Sequence, residues 1–165
     1  MIKSYLNNIG WFVGLLLLQV LILNNLHIGG YATPFLYIYF ILKLKTNMPR
    51  NRQLLYGFLL GLVVDMFANT PGVHTAATVF LAFVRTPYLN LFVAKDNTDP
   101  VNPAVGSIGV SPYLKYLAVS VFTHHIVVFC LAFYSFADVA NLIVRIISST
   151  ILSIACIVAI DSIRK

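Results

Sequence analysis

Apolar stretches separated by short polar connections occupy most of this chain. Six such stretches can be identified, at residues 9–26, 33–44, 54–68, 72–93, 117–136 and 142–160. A helix needs about 20 apolar residues to cross a bilayer, and about 17 are tolerated. The second and third stretches are short for that, so their ends must extend into the connections or the bilayer must thin around them. The pattern predicts an all-α integral membrane protein, a six-helix bundle in a single domain over residues 1–165.

Composition argues against a water-soluble fold. The chain has 165 residues, of which 59% are hydrophobic and 10% are charged, whereas soluble domains carry roughly 25% charged residues. The net charge of +6 does not indicate a nucleic-acid partner, because the basic residues are scattered between apolar stretches and form no basic stripe. The lipid bilayer is therefore the expected environment of the chain.

The distribution of Lys and Arg predicts the orientation of the spans. The connections at 24–32, 69–72 and 136–141, which share one side of the membrane, contain no Lys or Arg. All basic residues except Arg145 lie toward the other side: Lys3, Lys43, Lys45, Arg50, Arg52, Arg85, Lys95, Lys115, Arg164 and Lys165. Arg145 lies near the outer end of the sixth span. Because cytoplasmic loops carry the basic excess, both termini and the loop 94–116 are predicted to be cytoplasmic. That loop is rich in Pro and Gly, which predicts irregular structure, and it is either a passive linker or a docking segment.

The third span combines two glycines with an acid. Gly57, Gly61 and Asp65 follow one another at intervals of four, so a helix places them on one face. Glycines at this spacing let another helix approach closely, and we expect such a contact here. Asp65 has either a structural role near the outer interface or a role as a proton carrier or ligand counter-ion, since acids inside a membrane are costly.

Arg145 lies a few residues inside the sixth span. One interpretation is that its side chain reaches outward to the lipid headgroups. The other is that it pairs with Asp65 or with Asp138, because a guanidinium can donate two hydrogen bonds to a carboxylate. The sequence thus identifies Asp65 and Arg145 as a candidate buried ion pair.

His124 and His125 lie well inside the fifth span. Adjacent residues point about 100° apart on a helix, so the two imidazoles cannot face one metal ion together as a pair four residues apart would. The spacing favours hydrogen-bonded histidines that pack inside the protein, and a proton relay is the alternative.

Motifs of catalysis are missing from the sequence. There is no glutamate, and neither an H-E-x-x-H pattern, a P-loop nor a paired-carboxylate arrangement is present. The sequence therefore predicts a non-enzymatic protein with no catalytic residue, no metal site and no cofactor.

Two segments resemble the third-to-fourth-span signature of the MreD family of rod shape-determining membrane proteins. They read Gly57-x-x-x-Gly61-x-x-x-Asp65-Met66-Phe67 and then Asn69-Thr70-Pro71-Gly72-Val73-His74. The continuation Phe83-Val84-Arg85-Thr86-Pro87 resembles the family's arginine at the cytoplasmic end of the fourth span. Chain length, six spans and cytoplasmic termini agree along the whole chain.

The resemblance implies a scaffold of the cell-elongation complex in the bacterial inner membrane. Such a protein controls cell shape by organising side-wall peptidoglycan synthesis. It pairs with MreC and works alongside MreB, RodA and a class B penicillin-binding protein, with no enzymatic activity. The family's fold is considered similar to the six-helix substrate-binding subunits of energy-coupling-factor transporters. The motif residues carried over to this chain are Gly57, Gly61, Asp65, Pro71, Gly72 and Arg85.

That similarity supplies an alternative function, a substrate-binding subunit of a vitamin transporter. Such subunits dock their energising module through alanines three residues apart in the first span, and residues 9–26 contain no alanine. They also bind ligands through polar outer-loop residues, for which this chain offers few candidates beyond Asn24, Asn25, His27 and Asn69.

Overall fold

The structure is a computed structural model that describes residues 2–23, 31–93, 100, 102–133 and 138–163, with only the backbone for 2–9, 11 and 163. The helices in this part of the chain are α1 (Ile2–Leu21), α2 (Ile38–Leu42), α3 (Arg50–Ala68), α4 (Val73–Phe92), α5 (Val105–Ile108), α6 (Val110–Ala132) and α7 (Val139–Ile163). The predicted all-α class is confirmed for these residues. Two helices, Val110–Ala132 and Val139–Ser162, are long and apolar enough to cross a membrane.

The second predicted span does not form a continuous helix. Of residues 33–44, only the five residues Ile38–Leu42 are α-helical, and residues 33–36 have no regular structure. This short helix is nonetheless the most deeply buried element, since every residue from Tyr37 to Leu42 except Phe40 is at most 2% exposed. The expectation of a full second helix was therefore wrong, and a buried, partly non-helical segment takes its place.

The predicted irregular loop at 94–116 is partly helical. α6 begins at Val110, after Gly109 with a φ of 88°, and the short α5 precedes it. Pro112 falls in the first turn of α6, where no backbone N–H is needed for an intrahelical hydrogen bond, so proline is compatible with a helix start. Residues 94–99 and 101 of that loop lie outside the described residues.

Neighbouring helices pack in the order in which they follow one another. α3 packs on α4, α4 on α6 and α6 on α7, while α1 lies against α3. Contacts described below bring Lys43, Arg50 and Arg85 to one end of this arrangement, which we call the basic end. The opposite end, where α3 turns into α4, is called the Asp65 end.

Many polar side chains lie inside the bundle beside its apolar core, and many large apolar side chains lie on its surface. The buried polar residues are Gln19, Thr33, Gln53, Asp65, His74, Thr78, Arg85, Ser120, His124, His125, Ser149, Thr150 and Ser153. The exposed apolar residues include Leu55, Phe58, Leu62, Met66, Phe80, Phe83, Phe122, Ile143, Ile147 and Ile151. Water-soluble proteins keep most of their polar residues at the surface.

Candidate functional site

Asp65 caps the helix that follows it in the chain. α3 ends at Asn69 with a φ of 54°, and α4 begins after Gly72 with a φ of 86°. Gly72 occupies the N-cap position but has no side chain with which to accept a hydrogen bond. Asp65 supplies the missing acceptors, since Oδ1 accepts the backbone N–H of His74 at 2.9 Å and Oδ2 accepts that of Thr75 at 2.8 Å.

Two hydroxyl groups complete the shell of the Asp65 carboxylate. Thr70 Oγ1 donates to Oδ1 at 2.9 Å, and Thr75 Oγ1 donates to Oδ2 at 2.6 Å. The side chain is only 5% exposed, so its charge is stabilised by these four donors and by the positive end of the α4 dipole. Asp65 therefore faces the interior, as the sequence predicts, and it joins α3 to α4.

The two glycines of α3 lie directly against α4. A Cβ atom on Gly57 would lie 2.9 Å from the carbonyl oxygen of Thr78, and one on Gly61 would lie 2.5 Å from Thr75 Cα. A side chain at either position would push the helices apart, because real Cβ atoms do not approach other atoms so closely. The predicted close helix contact is confirmed, and its partner is the next helix of the same chain.

The predicted ion pair between Asp65 and Arg145 is not formed, although both residues lie toward the Asp65 end. The Asp65 oxygens are already taken by α4 and Thr70. Arg145 Nε instead donates to Asn141 Oδ1 at 3.1 Å, and its guanidinium carbon lies 5.5 Å from the centre of the Tyr31 ring. In the described part of the chain, the one ion pair within 4.0 Å joins Lys43 and Asp161.

Asp138 is not the partner of Arg145 either. Its Oδ1 accepts the backbone N–H of Asn141 at 3.0 Å, at the start of α7. Asp138 and Arg145 are thus connected only through Asn141.

Arg85 is completely buried at the basic end. One of its terminal nitrogens, Nη2, donates to the carbonyl oxygen of Leu44, just beyond α2, and Nη1 donates to Gln53 Oε1 at 3.3 Å. Tyr116 Oη donates to the carbonyl of Leu42 at 3.2 Å. Tyr116 therefore satisfies a carbonyl group at the C-terminal end of α2, and Arg85 satisfies one just beyond the C-cap.

A second cluster at the basic end surrounds Asp161 of α7. Lys43 Nζ lies 2.8 Å from Oδ1, which also accepts a hydrogen bond from Tyr39 Oη at 2.6 Å. Tyr113 Oη donates to Oδ2, and Lys43 lies 4.7 Å from the centre of the Tyr113 ring. This cluster connects α2 and α6 to the last turns of α7.

The non-helical residues 33–36 depend on side chains of other helices for their backbone hydrogen bonds. Ser149 Oγ accepts the N–H of Thr33 at 3.0 Å and Ser153 Oγ accepts that of Phe35 at 2.9 Å. Gln19 of α1 binds this segment through both the oxygen and the nitrogen of its side-chain amide. Its Oε1 accepts the N–H of Leu36 at 2.7 Å, and its Nε2 donates to the carbonyl of Pro34 at 3.0 Å. Non-helical backbone at membrane depth requires such internal partners.

The two adjacent histidines have different partners, as their 100° separation predicts. His125 Nδ1 lies 2.8 Å from the carbonyl oxygen of Val121, and its Nε2 lies 3.1 Å from Ser153 Oγ. His124 Nε2 lies 2.9 Å from Tyr37 Oη, which also lies 2.8 Å from His74 Nδ1. Both histidines are buried and hydrogen-bonded, as the favoured interpretation predicts.

The remaining predicted residues play smaller parts or lie elsewhere. Pro71 is exposed in the turn between α3 and α4, and Asn24, Asn25 and His27 lie outside the described residues. Among the described residues, no group of three or more His, Cys, Asp or Glu side chains could hold a metal ion.

Several residues of the network were not identified from the sequence. Tyr37, Gln19 and Ser153 each complete a buried hydrogen bond, and Thr75 completes two part-buried ones. One signal could have found Gln19, because it is the single polar residue of the segment 11–23, and a lone polar residue in a span usually faces the protein interior.

Comparisons with known proteins give no assignment. No protein-family model matches the chain, and no curated protein and no solved structure matches it.

Proposed function

We propose that this chain is a multi-pass protein of the bacterial cytoplasmic membrane that acts as a non-enzymatic scaffold of the cell-elongation complex. The observation that carries the proposal is that four residues of the MreD-like motif hold α4 in place. Gly57 and Gly61 bring α3 against α4, Asp65 caps the start of α4, and Arg85 connects the other end of α4 to the residue that follows the C-cap of α2. Four of the residues that carry the resemblance therefore have a structural role around the same helix.

The distribution of polar and apolar side chains supports the membrane location. Lipid tails solvate the exposed apolar side chains of α3, α4, α6 and α7, whereas water would not. The basic end carries Lys43, Arg50 and Arg85, as the cytoplasmic end of a membrane protein does. Asp65, at the opposite end, then lies toward the outer side of the membrane.

The glycine contact within the chain limits how partners can bind. Since Gly57 and Gly61 already contact α4, that face of α3 is not available to another protein. MreC, and with it MreB, RodA and a class B penicillin-binding protein, would be positioned through the outward apolar faces of the bundle. Association in lipid depends on packing and on a few polar contacts.

One observation favours the alternative function, a substrate-binding subunit of a vitamin transporter. Transporters build their sites from interrupted helices with non-helical backbone at membrane depth, and residues 33–36 form such a segment here. In this chain, however, Gln19, Ser149 and Ser153 take up four backbone groups of that segment. The scaffold function remains the proposal.

Depletion of the protein in a rod-shaped host tests the proposed function. Cells should become round and their wall-elongation complexes should disperse, while uptake of thiamine, riboflavin and biotin stays normal. Wild-type protein and the Gly14→Ala variant should restore the rod shape, because a Cβ on Gly14 meets no atom within 4 Å. Unchanged cell shape together with tight vitamin binding by the purified protein would support the transporter subunit instead.

A further inference from the structure

A pocket of about 430 Å³ opens at the basic end, between the connection that precedes α3 and the last turns of α4. Residues 46–48 form one wall, Arg50 and Gln53 of α3 form the second, and Thr86 and Asn90 of α4 belong to the third. Its volume lies within the range of small-molecule sites, roughly 300–1,000 Å³. The groups that line this pocket indicate what it can hold.

The lining offers hydrogen-bond donors and no negative charge. Asparagine amides, threonine hydroxyls and the Arg50 guanidinium all carry donors, and none of the described residues that line the pocket is acidic. The buried Gln53 gives this wall a defined shape, because its Nε2 donates to the carbonyl of Met48 at 2.7 Å. A pocket that is rich in donors and free of carboxylates suits an anion rather than a metal cation.

Arg50 is exposed, but its guanidinium group is held against an aromatic ring. The guanidinium carbon lies 3.9 Å from the centre of the Phe83 ring. This stacking uses the face of the guanidinium and leaves the N–H donors at its edge for a ligand. The planar arrangement of these donors matches two oxygens of a phosphate group.

The first turn of α3 adds partial positive charge to the same wall. α3 has 19 residues and begins at Arg50, after Pro49, whose side chain makes no cap hydrogen bond. The first backbone N–H groups of a helix have no partner within the helix, and the helix dipole is positive at this end. The dipole and the Arg50 side chain therefore favour an anion in the same place.

A buried positive charge lies directly behind the pocket. Arg85 is fully buried and its Nη1 donates to Gln53 Oε1 at 3.3 Å, while its Nε has no hydrogen-bond partner among the described residues. In that part of the chain no carboxylate lies within 4.0 Å of Arg85, since Lys43 and Asp161 form the ion pair there. A buried cation without a counter-charge is costly. An anion on the other side of Gln53 would lower that cost.

We propose that this pocket binds a negatively charged phosphate group, which Arg50 contacts directly and the buried Arg85 attracts through Gln53. The site rests on the membrane location proposed above, because the basic end is then at the cytoplasmic surface. Anionic phospholipid headgroups and soluble phosphate esters both reach that surface. They share one chemistry, a tetrahedral group whose charged oxygens accept hydrogen bonds.

Native mass spectrometry of the full chain in detergent tests the site with two anionic probes, phosphatidylglycerol and glycerol 3-phosphate. Phosphatidylcholine with the same acyl chains is the control without net charge. At least one anionic probe should bind one-to-one, about tenfold or more tightly than phosphatidylcholine, as expected for a charged hydrogen bond. Binding of phosphatidylglycerol alone would identify a lipid headgroup, and binding of glycerol 3-phosphate would identify a soluble ester. If neither binds more tightly than phosphatidylcholine, the proposal is wrong.

Arg50→Gln and Arg52→Gln form a matched pair of variants. Both remove one positive charge from the exposed first turn of α3, but only Arg50 lines the pocket. Arg50→Gln should weaken binding of the anionic probe about tenfold or more, and Arg52→Gln should leave it nearly unchanged. Equal losses would mean that the probe responds to the general positive charge of this end, which would overturn the site.

Asn90→Ala and Asn51→Ala repeat the comparison without a change of charge. Both asparagines are exposed, so neither substitution should impair folding, and only Asn90 lines the pocket. Binding should weaken in Asn90→Ala alone, and equal affinities for the two variants would contradict the assigned pocket. A negative result here would leave the scaffold function standing, because depletion and cell shape test that function separately.

Discussion

Asp65 and Thr75 are joined by two hydrogen bonds to the same carboxylate oxygen, 2.8 Å from the backbone nitrogen and 2.6 Å from the hydroxyl of Thr75. The two residues lie on either side of the α3–α4 turn. An acid in the last turn of one helix therefore performs the capping role that the N-cap residue of the next helix, Gly72, cannot perform. The turn between α3 and α4 is therefore stabilised by hydrogen bonds to the buried Asp65 carboxylate.

Replacement of Asp65 by Asn should destabilise the protein more than replacement of Asp138. The Asp65→Asn side chain keeps one acceptor oxygen for four donors and loses the negative charge at the start of α4. We expect the free energy of unfolding to fall by about 2 kcal/mol, which is within the range for helix caps and charged hydrogen bonds. Thermal unfolding of the purified protein in detergent measures the difference.

Asp138→Asn is the matched control for that substitution. Asp138 is exposed and accepts one backbone hydrogen bond, from Asn141, so its loss should cost under about 1 kcal/mol. Equal unfolding temperatures for the two variants would contradict the capping role of Asp65.

Gly61→Ala should separate α3 from α4, because the added methyl group would lie 2.5 Å from Thr75 Cα. Overpacking of this kind costs about 1–3 kcal/mol. Gly14→Ala makes the same change in α1, where the methyl group meets no atom within 4 Å, and it should be neutral or slightly stabilising. Size-exclusion chromatography after heating distinguishes the variants by the fraction of protein that still elutes as a monodisperse peak. Similar behaviour of both proteins would argue against the close contact.

Arg85→Lys should weaken the attachment of α2, although it conserves the charge. A lysine cannot reproduce the planar geometry with which Arg85 binds both Leu44 and Gln53. Arg50→Lys is the control, because Arg50 is exposed and its described contact is the face of the Phe83 ring, 3.9 Å from the guanidinium carbon. Proteolysis of the 43–49 connection in nanodiscs should be faster only for Arg85→Lys, and equal rates for both variants would contradict this role.

Cysteine labelling tests the predicted orientation. In a background with Cys130 and Cys156 replaced by alanine, Pro71→Cys should react with an impermeant reagent from outside intact cells. Asn102→Cys, in the loop predicted to be cytoplasmic, should react only after the membrane is opened. Reaction of both positions from outside would overturn the proposed topology.

The local features of the fold were predictable where the sequence spacing alone determines the geometry. Glycines four residues apart lie on one helix face, so the close contact of Gly57 and Gly61 followed from the sequence. The same spacing placed Asp65 on that face and toward the interior. The divergence of His124 and His125 also followed, because adjacent residues on a helix point in different directions.

Features that depend on the partner of a side chain were not predictable in this way. Asp65 and Arg145 were expected to pair because their charges are opposite. The Asp65 carboxylate instead accepts hydrogen bonds from backbone N–H groups of α4. Residues 33–36 were expected to be helical because they are apolar. Their non-helical backbone is hydrogen-bonded by Gln19, Ser149 and Ser153, of which the two serines lie more than a hundred residues away, so no local pattern reveals it.

Ser153→Ala tests this non-helical segment directly. The Ser153 hydroxyl accepts the N–H of Phe35 at 2.9 Å and lies 3.1 Å from His125 Nε2. Without it, a buried backbone N–H and a buried imidazole nitrogen both lose their partner, and each such loss costs about 1–3 kcal/mol. Ser148→Ala, five residues before, removes a hydroxyl that binds only carbonyl groups of its own helix and should change stability little.

Hydrogen exchange at the Phe35 amide, measured by mass spectrometry, should accelerate in Ser153→Ala and stay slow in Ser148→Ala. Equally slow exchange in both variants would mean that Ser153 does not hold the segment in place.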